Sequence, residues 1–207
     1  MPLSVELFSK LKSDILHQKY KQGYKLTEQD ICSVYNVSRT PVREAFRRLE
    51  AEGLIEISPN RGAYVLGFSA QDISDICELR KSCEIQAVKW AIERITEEEF
   101  DALEETFEFM EFYTQKNDVD KMMKINANFH QHIYVAAHNR MLRNILSSYR
   151  QYMEHMKKNT AQGENHLSLL LQEHRAIYDA FRNKNVALGA EAMEKHMDNS
   201  LERWYII

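Results

Sequence analysis

Residues 36–53, NVSRTPVREAFRRLEAEG, decide how the rest of the chain is read. Asn36-Val37 closes a tight turn, Ser38 stands where a helix cap belongs, and Pro41 falls in the first turn, where a missing N–H costs nothing. Val42, Ala45, Phe46 and Leu49 recur at helical spacing, which predicts an inward-packing face. Arg39, Arg43 and Arg47 are four apart on a different side and form one basic stripe, with Ser38 and Thr40 beside it at the helix start. Gly53 suits a left-handed helix stop. A helix buried on one side and lined with arginine on another fits the major groove, because arginine bonds guanine bidentately and otherwise grips phosphate. The competing reading is a solvated surface helix that happens to be rich in arginine; the flanking elements favour DNA.

Upstream, Val5, Phe8, Leu11, Ile15 and Leu16 predict an amphipathic helix over 4–20. Thr27-Glu-Gln-Asp30 reads as a capping box for a short helix carrying Ile31, Val34 and Tyr35. Downstream, 54–57 (LIEI) and 63–66 (AYVL) read as two strands joined by the turn Ser58-Pro-Asn-Arg-Gly62. Helix, short helix, turn, second helix and hairpin is the order of a winged helix-turn-helix.

SRTPVREAFRRLEAEGLIE followed by SPNRGAYV resembles the winged helix-turn-helix of the GntR family of bacterial transcription regulators. The resemblance implies that Arg61 and Gly62 at the hairpin tip touch DNA, the bare glycine allowing close backbone approach. The family usually has an arginine just inside the second helix, where this chain has Gln29. Glutamine still bonds a base edge or a phosphate but carries no charge, so operator preference is expected to differ.

The whole chain has 207 residues and a net charge of −4, which excludes binding nucleic acid with its entire surface. Residues 1–67 hold 10 Lys and Arg against 8 Asp and Glu, whereas 68–207 hold 17 against 23. A mildly basic head on an acidic partner domain fits local DNA contact. Cys32, Cys77 and Cys83 are odd in number and lack metal-ligand spacing, so reduced thiols in a cytoplasm are expected. No apolar run suffices for a bilayer, and no signal-peptide core opens the chain.

Gly67-Phe68 reads as the linker between a head over 1–67 and a second domain over 68–207. Beyond it the periodicity is helical throughout: Ser69 and Thr96 open capping boxes, Asn117-Asp118 starts a third helix, and a fourth spans 140–159. Polar residues 160–165 separate a fifth helix ending near Arg182 from a sixth beginning near Val186. The fold expected is therefore mainly α: a winged head with a small β-hairpin, then an all-α six-helix bundle.

A second constellation lies in the bundle. Asn126 and His130 share a helix face, and His174 and His196 follow in later helices. NANFHQHIYVAAHN, EHRAIYDAF and AMEKHM resemble the signature segments of the ligand-binding domain in the FadR subgroup of GntR regulators. Many of those members hold a divalent metal with one aspartate and three histidines. By that resemblance His130, His174 and His196 are the histidine ligands and Asn126 takes the aspartate position, losing one negative charge. Imidazoles suit Zn or Ni. The alternative is a metal-free pocket whose histidines bind an anionic effector directly. Arg80 matches an arginine that often lines this pocket, where it would clamp a carboxylate; otherwise it pairs with Glu84 four residues on. His132, His138 and His155 are read as non-ligands. Tyr134 and Tyr178 are open.

These readings imply a homodimer on a palindromic operator of double-stranded DNA, with half-sites about 34–36 Å apart. The bundle would receive a small carboxylate effector, with no membrane involved and no enzyme chemistry. A metal-dependent enzyme built on the histidines is the rival class. Against it, the sequence places no activated nucleophile, no HExxH pairing and no acidic residue beside the ligands as an obvious general base. An architectural DNA-binding dimer with a vestigial pocket is the third option.

Overall fold

A computed structural model describes residues 3–58, 61–67, 69–156 and 166–205. Pro59 and Asn60 of the wing turn, Phe68 of the linker, the polar separator 160–165 and the expected end of the fourth bundle helix at Asn159 lie outside them. So do the side chains of Tyr152, Met153, His155 and Met156.

Among the described residues the chain forms two compact units, one of 3–74 together with 151–156 and the other of the remainder. The first opens with α1 (Leu3–Leu16), β1 (Lys25–Leu26), α2 (Glu28–Tyr35) and α3 (Arg39–Ala51), then β2 (Ile55–Ser58) and β3 (Gly62–Val65). α1 turns Leu7 and Leu11 against the Val42, Ala45, Phe46 and Leu49 face of α3, all of them buried. The turn between α2 and α3 rests on Asn36, left-handed at φ 51°, whose N–H reaches the Cys32 carbonyl. Thr27 caps α2 by accepting from the Asp30 N–H at 3.1 Å, while its hydroxyl donates to the Asp30 carboxylate at 2.7 Å.

Two expectations change. Ser38 holds the N-cap position with extended backbone, but its side chain makes no capping bond. The third helical residue is Pro41, which has no N–H to offer the hydroxyl. The hairpin also gains a strand: the sheet is three-stranded and antiparallel, in the order β1-β3-β2, with Lys25 opposite Tyr64 and Leu26 opposite Ala63. Two residues are too few for alternation to be visible in a sequence. Gly53 is left-handed at φ 70°, as expected after α3.

The second unit is all-helical and continues along α4 (Ala70–Arg94) through α5 (Glu97–Gln115), α6 (Val119–Ala136), α7 (Arg140–Met156), α8 (His166–Arg182) and α9 (Val186–Tyr205). Their starts follow the local chemistry. Ser69 and Asp72 exchange bonds of 2.8 and 3.1 Å before α4. Thr96 and Glu99 complete a reciprocal box before α5, and Asp118 caps α6. α5 packs on α6 and α8, and α8 on α9. The core runs from Val88 and Ala91 through Phe107, Met110, Phe129 and Ile133 to Ile177, Phe181 and Met193. No helix among the described residues is long and apolar enough to cross a membrane.

Candidate functional site

The first candidate surface is the outer side of α3. Because Val42, Ala45, Phe46 and Leu49 are drawn into the core, helical geometry puts Ser38, Arg39, Thr40, Arg43 and Arg47 at the exposed side. Arg43 donates from Nε to Glu28 Oε1 at 2.7 Å, a tie between α3 and the first turn of α2. Arg48, on the same helix, lies 4.3 Å over the Phe8 ring and therefore braces α1. Gln29 and Arg61 are exposed; the Arg61 N–H closes the wing turn on the Ser58 carbonyl at 3.0 Å. Gly62 has a cause inside the head. At φ 99°, a Cβ there would meet the Leu26 carbonyl oxygen at 3.0 Å, so the bare residue admits β1 as a neighbour.

The second candidate site lies within the bundle. α6, α8 and α9 bring His130, His174 and His196 together, all three buried, with their ligand atoms within 4.8 Å of one another. The rings form a triangle with centroid separations of 5.4, 5.3 and 4.6 Å. Each ring is held by its Nδ1. His174 faces the Leu170 carbonyl at 2.8 Å, His196 faces Glu173 Oε2 at 2.8 Å, and His130 faces Glu84 Oε2 at 3.3 Å. Carbonyl oxygens only accept, and ionised carboxylates do likewise, so the proton sits on Nδ1 and the lone pair on Nε2. Burial, reinforced by the neighbouring imidazoles, pushes His174 well below the ordinary histidine range. Burial also lowers His196, against the opposing pull of Glu173. A neutral imidazole with a free Nε2 lone pair, as at His174, is what a metal requires.

Two buried side-chain atoms among the described residues have no hydrogen-bond partner: Asn126 Oδ1 and His174 Nε2. Leaving such atoms unsatisfied costs about 1–3 kcal/mol each. Both are Lewis bases, and a cation satisfies both. The three histidines therefore fit a divalent metal, and the Asn126 amide oxygen, one helical turn before His130, is the candidate fourth ligand. His138 is engaged elsewhere, with Nε2 2.9 Å from Glu99.

Arg80 is neither a surface residue nor unpaired. Its side chain is 14% exposed, and Nε and Nη2 reach Glu84 Oε1 at 3.2 and 3.1 Å. Glu84 has no exposed surface at all and also accepts the Tyr134 hydroxyl at 2.5 Å. Burial alone would raise its carboxyl, but His130, Arg80 and Tyr134 outweigh that and hold it well below the usual carboxylate range. Tyr178 instead donates to Glu104; burial and that bond push its phenol up to about 12. Glu84 and Glu173 both adjoin the histidines, a placement the sequence did not show, but neither stands as a general base. Each is occupied with an Nδ1–H, on the far side of the ring from the Nε2 lone pair. Glu84 had one visible signal, its place one turn beyond Arg80. Glu173 had none, because its partner is 23 residues away.

Residues 3–65 match the model of the gntR family of bacterial regulatory proteins, and residues 75–199 match that of the FCD domain. The chain is 27% identical over 202 residues to the HTH-type transcriptional regulator YdhC of Bacillus subtilis, covering 97% of this chain and 90% of that protein. It is 26% identical over 201 residues to the HTH-type transcriptional repressor RspR of Escherichia coli, covering 97% and 88%. The solved structure of E. coli McbR/YncC shares the fold, with a TM-score of 0.72 at 20% identity over 99% of this chain and 98% of that one. Head and bundle thus each match their own family model, in one continuous order, and the relatives named are regulators. The chain belongs to the GntR family of bacterial transcription regulators, in the group with an FCD domain: it binds DNA and is not an enzyme.

Proposed function

We propose that the protein is a metabolite-responsive repressor that binds a palindromic operator as a homodimer in the cytoplasm, with residues 1–67 as the reading head and 68–207 as the sensing and pairing domain. One observation carries the sensing half above the others: Asn126 Oδ1 and His174 Nε2 are buried without hydrogen-bond partners, and His130 and His196 stand beside His174. A divalent transition metal, Zn or Ni, is assigned to that point, where it would offer a coordination site to a carboxylate effector. Arg80 spends Nε and Nη2 on Glu84, so Nη1 is the edge assigned to the effector. In the head, Arg39, Arg43 and Arg47 with Ser38, Thr40 and Gln29 are assigned to the major groove, and Arg61 and Gly62 to the wing contact. Release requires that the effector bind two arrangements of the dimer with different affinity.

A thermal-shift series of small carboxylates, run with and without chelator beside a band shift on the DNA upstream of the protein's own gene, tests this. The expected result is a carboxylate-induced rise in melting temperature that chelator abolishes, with release of the DNA by the same compound. A protein indifferent to every carboxylate and to chelator, yet still bound to DNA, would refute the sensing half.

A further inference from the structure

Resting on the metal assignment above, we infer that Glu173 and Glu84 supply the negative charge of this site from behind its ligands. The four groups proposed to ligate are the Asn126 amide oxygen and three imidazoles, which bind a metal in their neutral form, so none brings a negative charge. A dication buried among neutral groups forfeits its hydration with no opposite charge to offset the loss. Two carboxylates stand one bond further out. Glu173 accepts the His196 Nδ1–H at 2.8 Å, and Glu84 faces the His130 Nδ1 at 3.3 Å. A carboxylate on the far N–H of an imidazole raises the basicity of the ligating nitrogen and fixes the ring. His174, by contrast, gives its Nδ1–H to a neutral carbonyl.

Neither carboxylate is placed to swing in and ligate. Glu173 also accepts from Asn199 Nδ2 at 2.8 Å, and Glu84 is held by Arg80 and Tyr134. Their charge therefore reaches the ion through the rings. Such a shell, three nitrogens and an amide oxygen with no direct carboxylate, selects ions that favour imidazole, such as Zn2+ or Ni2+, over Mg2+, which favours carboxylate.

The test is Zn2+ competition against a chromophoric chelator, using the full chain as wild type, Glu173→Gln, Asn126→Asp and the double variant. Glutamine keeps the carbonyl acceptor and the shape of Glu173 while removing its charge. Glu173→Gln is expected to weaken Zn2+ by about 10–100-fold. Asn126→Asp moves a charge into direct contact with the ion and is expected to recover most of that loss in the double variant. If Glu173 is merely structural, Asn126→Asp gains no more in the Glu173→Gln chain than in the wild type; charge compensation predicts the larger gain in the Glu173→Gln chain. Should Glu173→Gln fail to fold, Glu84→Gln carries the same comparison. Unchanged Zn2+ affinity in Glu173→Gln, or no recovery in the double variant, would overturn the inference. A wild type that takes up no Zn2+ or Ni2+ would overturn the metal assignment itself, a result separable because every variant would then be equally blank.

Discussion

Arg43 shows how much a single side chain on the proposed reading face can decide. Its bond to Glu28 engages Nε and leaves the two terminal nitrogens, the pair that the O6 and N7 of guanine accept from. On the proposed reading face Glu28 would thereby select one presentation of the guanidinium fork while placing a negative charge close to DNA. Arg43→Ala is expected to cost about 1–3 kcal/mol of sequence-specific binding, measured by fluorescence anisotropy on operator duplex; unchanged affinity would remove Arg43 from the reading surface. For Glu28→Gln the two effects separate. Affinity for random duplex should rise as the charge is removed, while the ratio of operator to random binding falls as the fork loses its orientation. Equal gains on both duplexes would reduce Glu28 to a repelling charge. At the start of the same helix, Pro41 removes one of the two N–H groups that could serve Ser38 as a cap partner, a consequence readable from the residues but easily overlooked when proline is counted as harmless.

Helix-to-helix packing in the bundle has its own tight point at Gly189 in α9. A Cβ there would stand 2.4 Å from Ile92 Cδ1 and 2.9 Å from Val88 Cγ1, so α9 approaches α4 closely because the side chain is missing. Gly189→Ala would gain up to about 1 kcal/mol of helix propensity, yet overpacking costs about 1–3 kcal/mol. A lower melting temperature is expected, and a raised one would mean that Ile92 moves aside freely. Elements of this size were largely legible in the sequence. The boxes at Ser69 and Thr96 and the cap at Asp118 act over three residues, within the reach of a local pattern. What stayed hidden depends on pairing across distance. β1 has no periodicity of its own and exists only because β3 accepts it. Glu84 meets His130 across 46 residues, and no spacing rule reaches that far. Three of the four proposed ligands were visible as histidines in family-like segments, but the carboxylates behind them became visible only once α4, α6, α8 and α9 were packed.

For the whole molecule, the division of labour follows the division of charge: a head with a small positive excess and a bundle with a negative one. Coupling between them is reciprocal by thermodynamic necessity. An effector that loosens the operator must itself bind less tightly when operator is present, by the same factor. That coupling is only as real as the sensing site, and the site is only as real as its ion. Elemental analysis of the purified full chain beside His174→Ala is therefore the most direct measurement. The expected result is stoichiometric Zn or Ni in the wild type, and loss of that metal in a variant that still binds DNA. A wild type free of transition metal, or a His174→Ala chain that keeps it, would contradict the central claim.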